Sequence, residues 1–462
     1  MILWLLLACG ADDTRDSGVV TSPPPSTPAV DTATTTSTTP TVAEPPALDE
    51  PAAAVDLDPD PSVLHVQLTA APHTYTIDGE TVQGFAYNGQ VPGPTLRAPV
   101  GGTLRVELTN DVDAPTTIHW HGPRDVPFPM DGVAWMGAPV EPGASFVYEI
   151  PLTHAGTFWY HPHFDTARQV DLGLYGALIV EDPTEPTVDI DQVWIFDSFS
   201  EHDGAEGHDH GFVPLPGQWT VNGAVQPVLE AGGAVVRARL INVSNTGYLR
   251  LDWPDARLLA GDQGLLPEPV PLDDVVLGPG DRIEVELRVG PEDQILITNS
   301  HSLAGPSELG EPVPLLTLRS SGEPPASAPA WPTDDAGPTP DPGRTDIVYV
   351  FQGDERTGEW RINGETFPDV TIETLPLGME AIVEVRNLSP SHHPFHTHGV
   401  HFELLSRDGV PPDRRTIEDT LDIGIRETVR LRIEADNLGD WMTHCHILPH
   451  AEGGMMTVLR IE

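Results

Sequence analysis

The sequence predicts an all-β protein built from three related domains, and three observations carry that prediction. Fifty prolines and 43 glycines among 462 residues place turn formers throughout the chain, with 39% apolar content and few long helical patterns. Several segments alternate apolar and polar residues with period two, as strands with one buried face do. Leu104, Val106 and Leu108 alternate with Arg105, Glu107 and Thr109; Ile283, Val285, Leu287 and Val289 with Glu284, Glu286 and Arg288; Val429, Leu431 and Ile433 with Arg430, Arg432 and Glu434. Finally, one local pattern recurs. Asn88-Gly89 leads through Gly101-Gly102 to Asn110, Asn222-Gly223 through Gly232-Gly233 to Asn242, and Asn363-Gly364 through Gly378 to Asn387. Half-buried antiparallel strands with turn signals between them imply Greek-key β-sandwiches.

In chain order, Met1 to Cys9 form an apolar run ending Leu6-Leu7-Ala8 before a cysteine. It looks like a bacterial lipoprotein signal, short and without a positive residue. It implies export to the bacterial cell envelope, periplasmic or surface-exposed, with a lipid anchor through Cys9. Residues 10–60 are rich in Thr, Ser, Pro and Asp, cannot bury enough apolar surface to fold, and read as a disordered stalk. The domains then span residues 61–185, 186–321 and 345–462, with a proline-rich linker at 322–344. No other apolar run reaches the ~20 residues that span a bilayer.

The formal net charge is -47, and all 23 basic residues are arginine. A field of that sign repels nucleic acid and attracts metal cations or protonated organic substrates. Cys9 and Cys445 are the only cysteines, so no disulfide framework is expected.

Ten of the 19 histidines fall into four groups, all in the first and third domains. The first domain carries His119-Trp120-His121 and His161-Pro162-His163; the third carries His393-Pro394-Phe395-His396-Thr397-His398 and His444-Cys445-His446 with His450. A His-x-His pair on a strand projects two imidazoles from one face about 7 Å apart, enough to reach neighbouring metals but seldom the same one. Four pairs supply eight imidazoles, enough for a cluster of about three metal ions at two or three each. Cys445 points to the opposite face of its strand. With His450 and the thioether of Met455 it is a blue-copper ligand set lacking one histidine.

These four segments resemble the copper-binding segments of the multicopper oxidases, the laccases and their relatives, and the Asn-Gly repeats resemble their cupredoxin domains. The resemblance covers roughly residues 61–462 and implies three cupredoxin-like domains holding four copper ions. It implies that His119 and His396 hold the type 2 copper and that His121, His161, His163, His398, His444 and His446 hold the type 3 pair. His393, Cys445, His450 and an axial Met455 become the type 1 ligands. The implied reaction takes electrons singly from a reducing substrate at the type 1 copper, passes them from Cys445 to His444 and His446, and reduces dioxygen to water at the cluster. Asp131 resembles the family acid near the type 2 copper. Glu452 stands one place beyond the position of a second acid, where this chain has Ala451, and Asp419 resembles a position near the type 1 pocket. A monomer is expected.

With only seven methionines and no methionine-rich insertion, phenolic or aromatic amine donors are preferred to the alternative, cuprous or ferrous ion. A metal-free cupredoxin scaffold is the non-enzymatic reading, and the intact ligand set argues against it. His202, His208 and His210 lie in an acidic, Gly-containing run that reads as a mobile polar loop, with metal loading as the other reading.

Overall fold

The three repeats fold alike because two asparagines in each do the same work. In the computed structural model, Asn88, Asn222 and Asn363 adopt left-handed φ of 53°, 52° and 56°, each followed by a glycine with φ between 75° and 79°. Such a pair makes the tight turn whose twist matches a β-hairpin. Each side chain reaches back to the strand that begins its repeat: Asn88 Nδ2 donates to Gln67 O at 2.8 Å, Asn222 to Val193 O at 2.8 Å and Asn363 to Val348 O at 2.9 Å. The closing residues Asn110, Asn242 and Asn387 are fully buried and donate to the carbonyls of Val140, Leu277 and Ile423.

Residues 44–462 are described apart from 134–136, 138, 199–217, 254, 301–308, 324–326, 334–336 and 355. In the first repeat Glu80–Tyr87, Val63–Ile77, Thr103–Asn110 and Ser145–Pro151 form one sheet, and Leu96–Pro99, Gly176–Glu181, Gly156–His161 and His119–His121 the other. The third repeat has sheets of six and five strands, the latter containing His393–Thr397 and Gly439–Cys445 side by side. The middle repeat has a six-stranded sheet facing smaller ones. In every repeat a parallel pair is followed by an antiparallel partner, as in Val63–Ile77 with Thr103–Asn110 and then Ser145–Pro151. Ile190–Ser198 and Ile347–Asp354 pair in parallel with Val235–Asn242 and Glu380–Asn387 in the same way. Separate apolar clusters lie between the sheets, around Leu68 and Trp120, around Trp194 and Leu240, and around Phe395 and Cys445. The fold is therefore all-β with cupredoxin-like sandwiches.

Two expectations need correction, and a third gains a contact. The structureless run does not extend to residue 60. Leu48 is buried in the middle repeat's core, Glu50 makes a fork with Arg97 at 2.8 and 3.0 Å, and Ala47 and Ala53 bridge to Val228 and Thr95. Leu48 supplies the apolar anchor that the composition of the stretch concealed. The linker 322–344 has no strand or helix among its described residues, yet it is pinned by Trp331, whose Nε1 donates to Glu286 Oε2 at 2.7 Å. Strand Arg282–Arg288 is buried on both faces rather than one. Cys9, the histidines at 202, 208 and 210, and His301 lie outside the described residues. No helix among the described residues is long and apolar enough to cross a membrane.

Candidate metal centre

Strand pairing assembles the histidines. His119 faces His161 across one antiparallel pair, and His396 faces His444 across another, one from each outer repeat. Alternation then places the paired imidazoles on one face, and four groups of three His or Cys donors result, in each of which the ligand atoms lie within 4.8 Å of one another. They are His119, His121 and His396; His121, His161 and His446; His163, His398 and His444; and His393, Cys445 and His450. The structure thus divides the six histidines expected for the type 3 pair into two triads. Three of the four His-x-His pairs are split between these groups; only His119 and His121 fall in one together.

In the first two groups the nitrogens aimed inward have no protein partner, whereas in the third His398 Nε2 and His444 Nε2 lie 3.1 Å apart. His119 Nε2, His121 Nδ1, His161 Nε2, His396 Nε2 and both nitrogens of His446 are buried without a hydrogen bond. Their opposite nitrogens are held: His121 Nε2 by Asp419 Oδ1 at 3.1 Å, His161 Nδ1 by Pro162 O at 2.8 Å, and His396 Nδ1 by Asp419 O at 3.0 Å. Orphaned buried nitrogens cost free energy, and metal ions satisfy them. Neutral imidazole is what a metal needs. Burial first, and neighbouring imidazoles second, hold His161, His163, His393, His398 and His446 well below their usual range. Burial likewise brings His444 down to about 3.

Asp131 is buried between two of these rings, accepting from His119 Nδ1 at 3.1 Å and His398 Nδ1 at 2.8 Å. Gly132 is required beside it, since a Cβ there would meet Ile118 O at 1.8 Å. Carboxylates that bind the far nitrogen of a ligand histidine fix its tautomer and orientation.

At the other site Cys445 Sγ lies 3.4 Å from His393 Nδ1 and 3.7 Å from His450 Nδ1. Met455 is fully buried in the same core cluster as Cys445. His393 Nε2 is 2.6 Å from Ser389 Oγ, and the Trp360 indole stacks on His450 with centroids 3.7 Å apart. The sequence pointed to none of these neighbours. A tryptophan in a period-two strand reads as core, and Trp360 is core as well as a cover for the site.

Glu452 is exposed, accepts from Ala167 N at 2.9 Å, and lines a cavity of about 220 Å³ that also reaches His163, Asp165 and His444. Asp419 belongs with the histidine cluster and not with the type 1 pocket, because its strand neighbour Thr420 pairs with His396. His401 is half-buried, and its Nε2 donates to Gly122 O at 3.0 Å. Arg282 and Gln263, from the middle repeat, both bind Asp419. Nothing in their spacing signalled this.

Residues 69–185 and 339–462 each match the multicopper oxidase family. A multicopper oxidase of Pseudomonas thermotolerans superposes with a TM-score of 0.73 and 34% identity, over 87% of this chain and 99% of that one. A laccase of Pediococcus acidilactici superposes with a TM-score of 0.78 and 28% identity, covering 91% and 94%. The multicopper oxidase MmcO of Mycobacterium tuberculosis is 27% identical over 85% of this chain and 86% of its own. Four clusters of donors, orphaned nitrogens aimed into two of them and relatives spanning the folded body lead to one conclusion: the chain is a member of the multicopper oxidase family, oxidoreductases that bind copper and use dioxygen as acceptor.

Proposed function

We propose that this protein oxidises a small reducing substrate, one electron at a time, at a type 1 site and delivers the electrons to dioxygen at a three-copper cluster, forming water. The observation that supports this most is strand Gly439–Cys445 with its continuation, in which Cys445 faces His393 and His450 while His444 and His446 face the other histidines. Bound copper would supply reversible one-electron storage at both sites. His393, Cys445, His450 and Met455 would hold the type 1 ion, His119 and His396 the type 2 ion, and the triads His121/His161/His446 and His163/His398/His444 the type 3 pair. Cys445 is joined by single peptide links to histidines of both triads, so the covalent path between the sites is two residues long at most. The Asp131 carboxylate orients His119 and His398 and lies where a proton can be held beside the cluster. Glu452, which lines the cavity at His163 and His444, would relay protons between it and solvent.

The donor class is phenols and aromatic amines, on the absence of a methionine-rich insertion. The apolar run before Cys9 supports export to the cell envelope. Oxygen uptake by the copper-loaded protein with a phenol, an aromatic amine, Cu(I) and Fe(II) tests the reading. Uptake is expected with the organic donors at higher kcat/KM than with the metal ions, and Cys445→Ser is expected to abolish it together with the visible copper–thiolate band. No uptake with any donor would leave a binding scaffold, and faster oxidation of a metal ion would reassign the donor.

A further inference from the structure

The middle repeat contributes no histidine to the four donor groups, yet its residues converge on two of the cluster histidines. Arg282, with no exposed side-chain surface, lays its guanidinium on both oxygens of Asp419 at 2.7 and 2.6 Å. Asp419 Oδ1 accepts from His121 Nε2 at 3.1 Å, and its backbone carbonyl accepts from His396 Nδ1 at 3.0 Å. Thr420 Oγ1 lies 3.0 Å from the first nitrogen and 3.1 Å from the second. Asp262 closes the arrangement, its carboxylate accepting from the backbone N–H of Arg282, Asp419 and Thr420. Gln263 Nε2 adds a bond to Asp419 Oδ2 at 2.6 Å. Even the backbone is fitted: Gly280, with φ of 88°, lies so close to His446 that a Cβ would stand 2.8 Å from the ring.

An imidazole can present only one nitrogen to a metal, and the partner of the other decides which one. For His121 and His396 the partners are Asp419 and Thr420, and the nitrogens left free are Nδ1 and Nε2 respectively. A carboxylate alone could rotate. Clamped by a planar guanidinium fork it cannot, and a lysine, as a point charge, would not reproduce the clamp.

We propose that Arg282, seated by Asp262, is a positioning residue for the copper cluster: through Asp419 it fixes the orientation of His121 and His396, so that the middle repeat sets the geometry of metal sites to which none of its described residues is a ligand. The inference rests on the three-copper reading above. Copper content, the type 2 electron paramagnetic resonance signal and the type 1 visible band are measured for the full-length protein and for Arg282→Lys and Gln263→Leu. In Arg282→Lys the type 1 band stays at its parent intensity, the type 2 signal shifts, and cluster copper is lost to a chelator about 10–100-fold more readily, the range typical of lost partners behind metal ligands. Gln263→Leu, which leaves both charges in place, gives a smaller shift of the same signal and decides alone if Arg282→Lys does not fold. Cluster signals and chelator resistance equal to the parent's would overturn the proposal, and so would a type 1 band that falls in step with the cluster. A parent protein that retains only type 1 copper would instead refute the three-copper reading itself.

Discussion

The same cross-strand ion pair occurs in all three repeats, and its surroundings differ threefold. In the first repeat Arg105 lies opposite Glu149, in the middle one Arg239 lies opposite Glu284, and in the third Glu384 lies opposite Arg430. The side chains are 42% and 60% exposed in the first pair, 3% and 1% in the middle pair, and 13% and 14% in the third. The outer repeats present this face of the sheet to water or to a strap of chain. The middle repeat presses it against the first repeat, where Thr157 Oγ1 donates to Glu284 Oε1 at 2.7 Å. A period-two pattern with charges on one face therefore marks a strand, but whether that face is wet is decided by its neighbours. In the middle repeat the charges are paired internally: Glu284 receives Arg237 as well as Arg239, and Arg239 also forks onto Asp191 at 2.6 and 2.8 Å.

The largest expected effect follows from breaking the buried pair. Glu284→Gln leaves Arg237 and Arg239 short of charge in a dry interface and is expected to lower the unfolding free energy by about 3–5 kcal/mol, as removal of one partner from a buried network does. Urea unfolding of the copper-free protein measures it. A cost under about 1 kcal/mol would mean that water enters this interface and that the burial contrast does not carry the energetics.

Acid should remove the same interaction from the parent protein. Burial alone would raise the Glu284 carboxyl, but Arg239 and Arg237 outweigh it and bring the folded value down to about 2. An unfolded glutamate titrates near ~4.3. A depressed folded value contributes stability that is fully present above the unfolded value and is lost as the pH falls through it towards 2. The parent is therefore expected to lose stability between about pH 5 and 2 more steeply than Glu284→Gln, and parallel curves would contradict the assignment.

The middle repeat is also where sequence reading reached least far. The four His-x-His segments were legible because strand alternation alone puts their imidazoles on one face, and strands do not need neighbours to do that. The Asn-Gly turns were legible because a left-handed residue pair restricts composition so strongly. Arg282, Asp262 and Gln263 were not, because they reach the cluster across a contact between repeats far apart in sequence, and a charged residue at a strand end reads as solvated. The division of six histidines into two triads likewise depends on how the two outer repeats meet. Leu48 and Trp331 were hidden by the proline- and threonine-rich segments that carry them; each is a single apolar anchor, too little to alter the composition.

An intermediate effect is expected in the third repeat. Glu384→Gln removes one partner of Arg430, but that guanidinium also binds Asp341 Oδ2 at 2.5 Å and Thr345 Oγ1 at 2.8 Å. The loss should be about 1 kcal/mol or less by the same unfolding measurement, because the charge keeps other partners and is close to water. A loss as large as that of Glu284→Gln would show that the linker residue Asp341 contributes little in solution.

Glu149→Gln in the first repeat should do least. Its Oε2 is 3.7 Å from Arg105 Nη1, beyond hydrogen-bond reach, and both groups are largely solvated. Exposed pairs of this kind contribute roughly 0–0.5 kcal/mol, and salt at about 1 M, where the screening length shrinks to roughly 3 Å, should erase even that. The salt dependence sharpens the comparison more than the magnitude does. If burial distinguishes the three pairs, added salt abolishes the effect of Glu149→Gln, weakens that of Glu384→Gln and leaves that of Glu284→Gln nearly intact. Equal salt sensitivity in all three would place the middle pair in water despite its geometry, and the seat it forms against the first repeat would then have to be held by the apolar contacts alone.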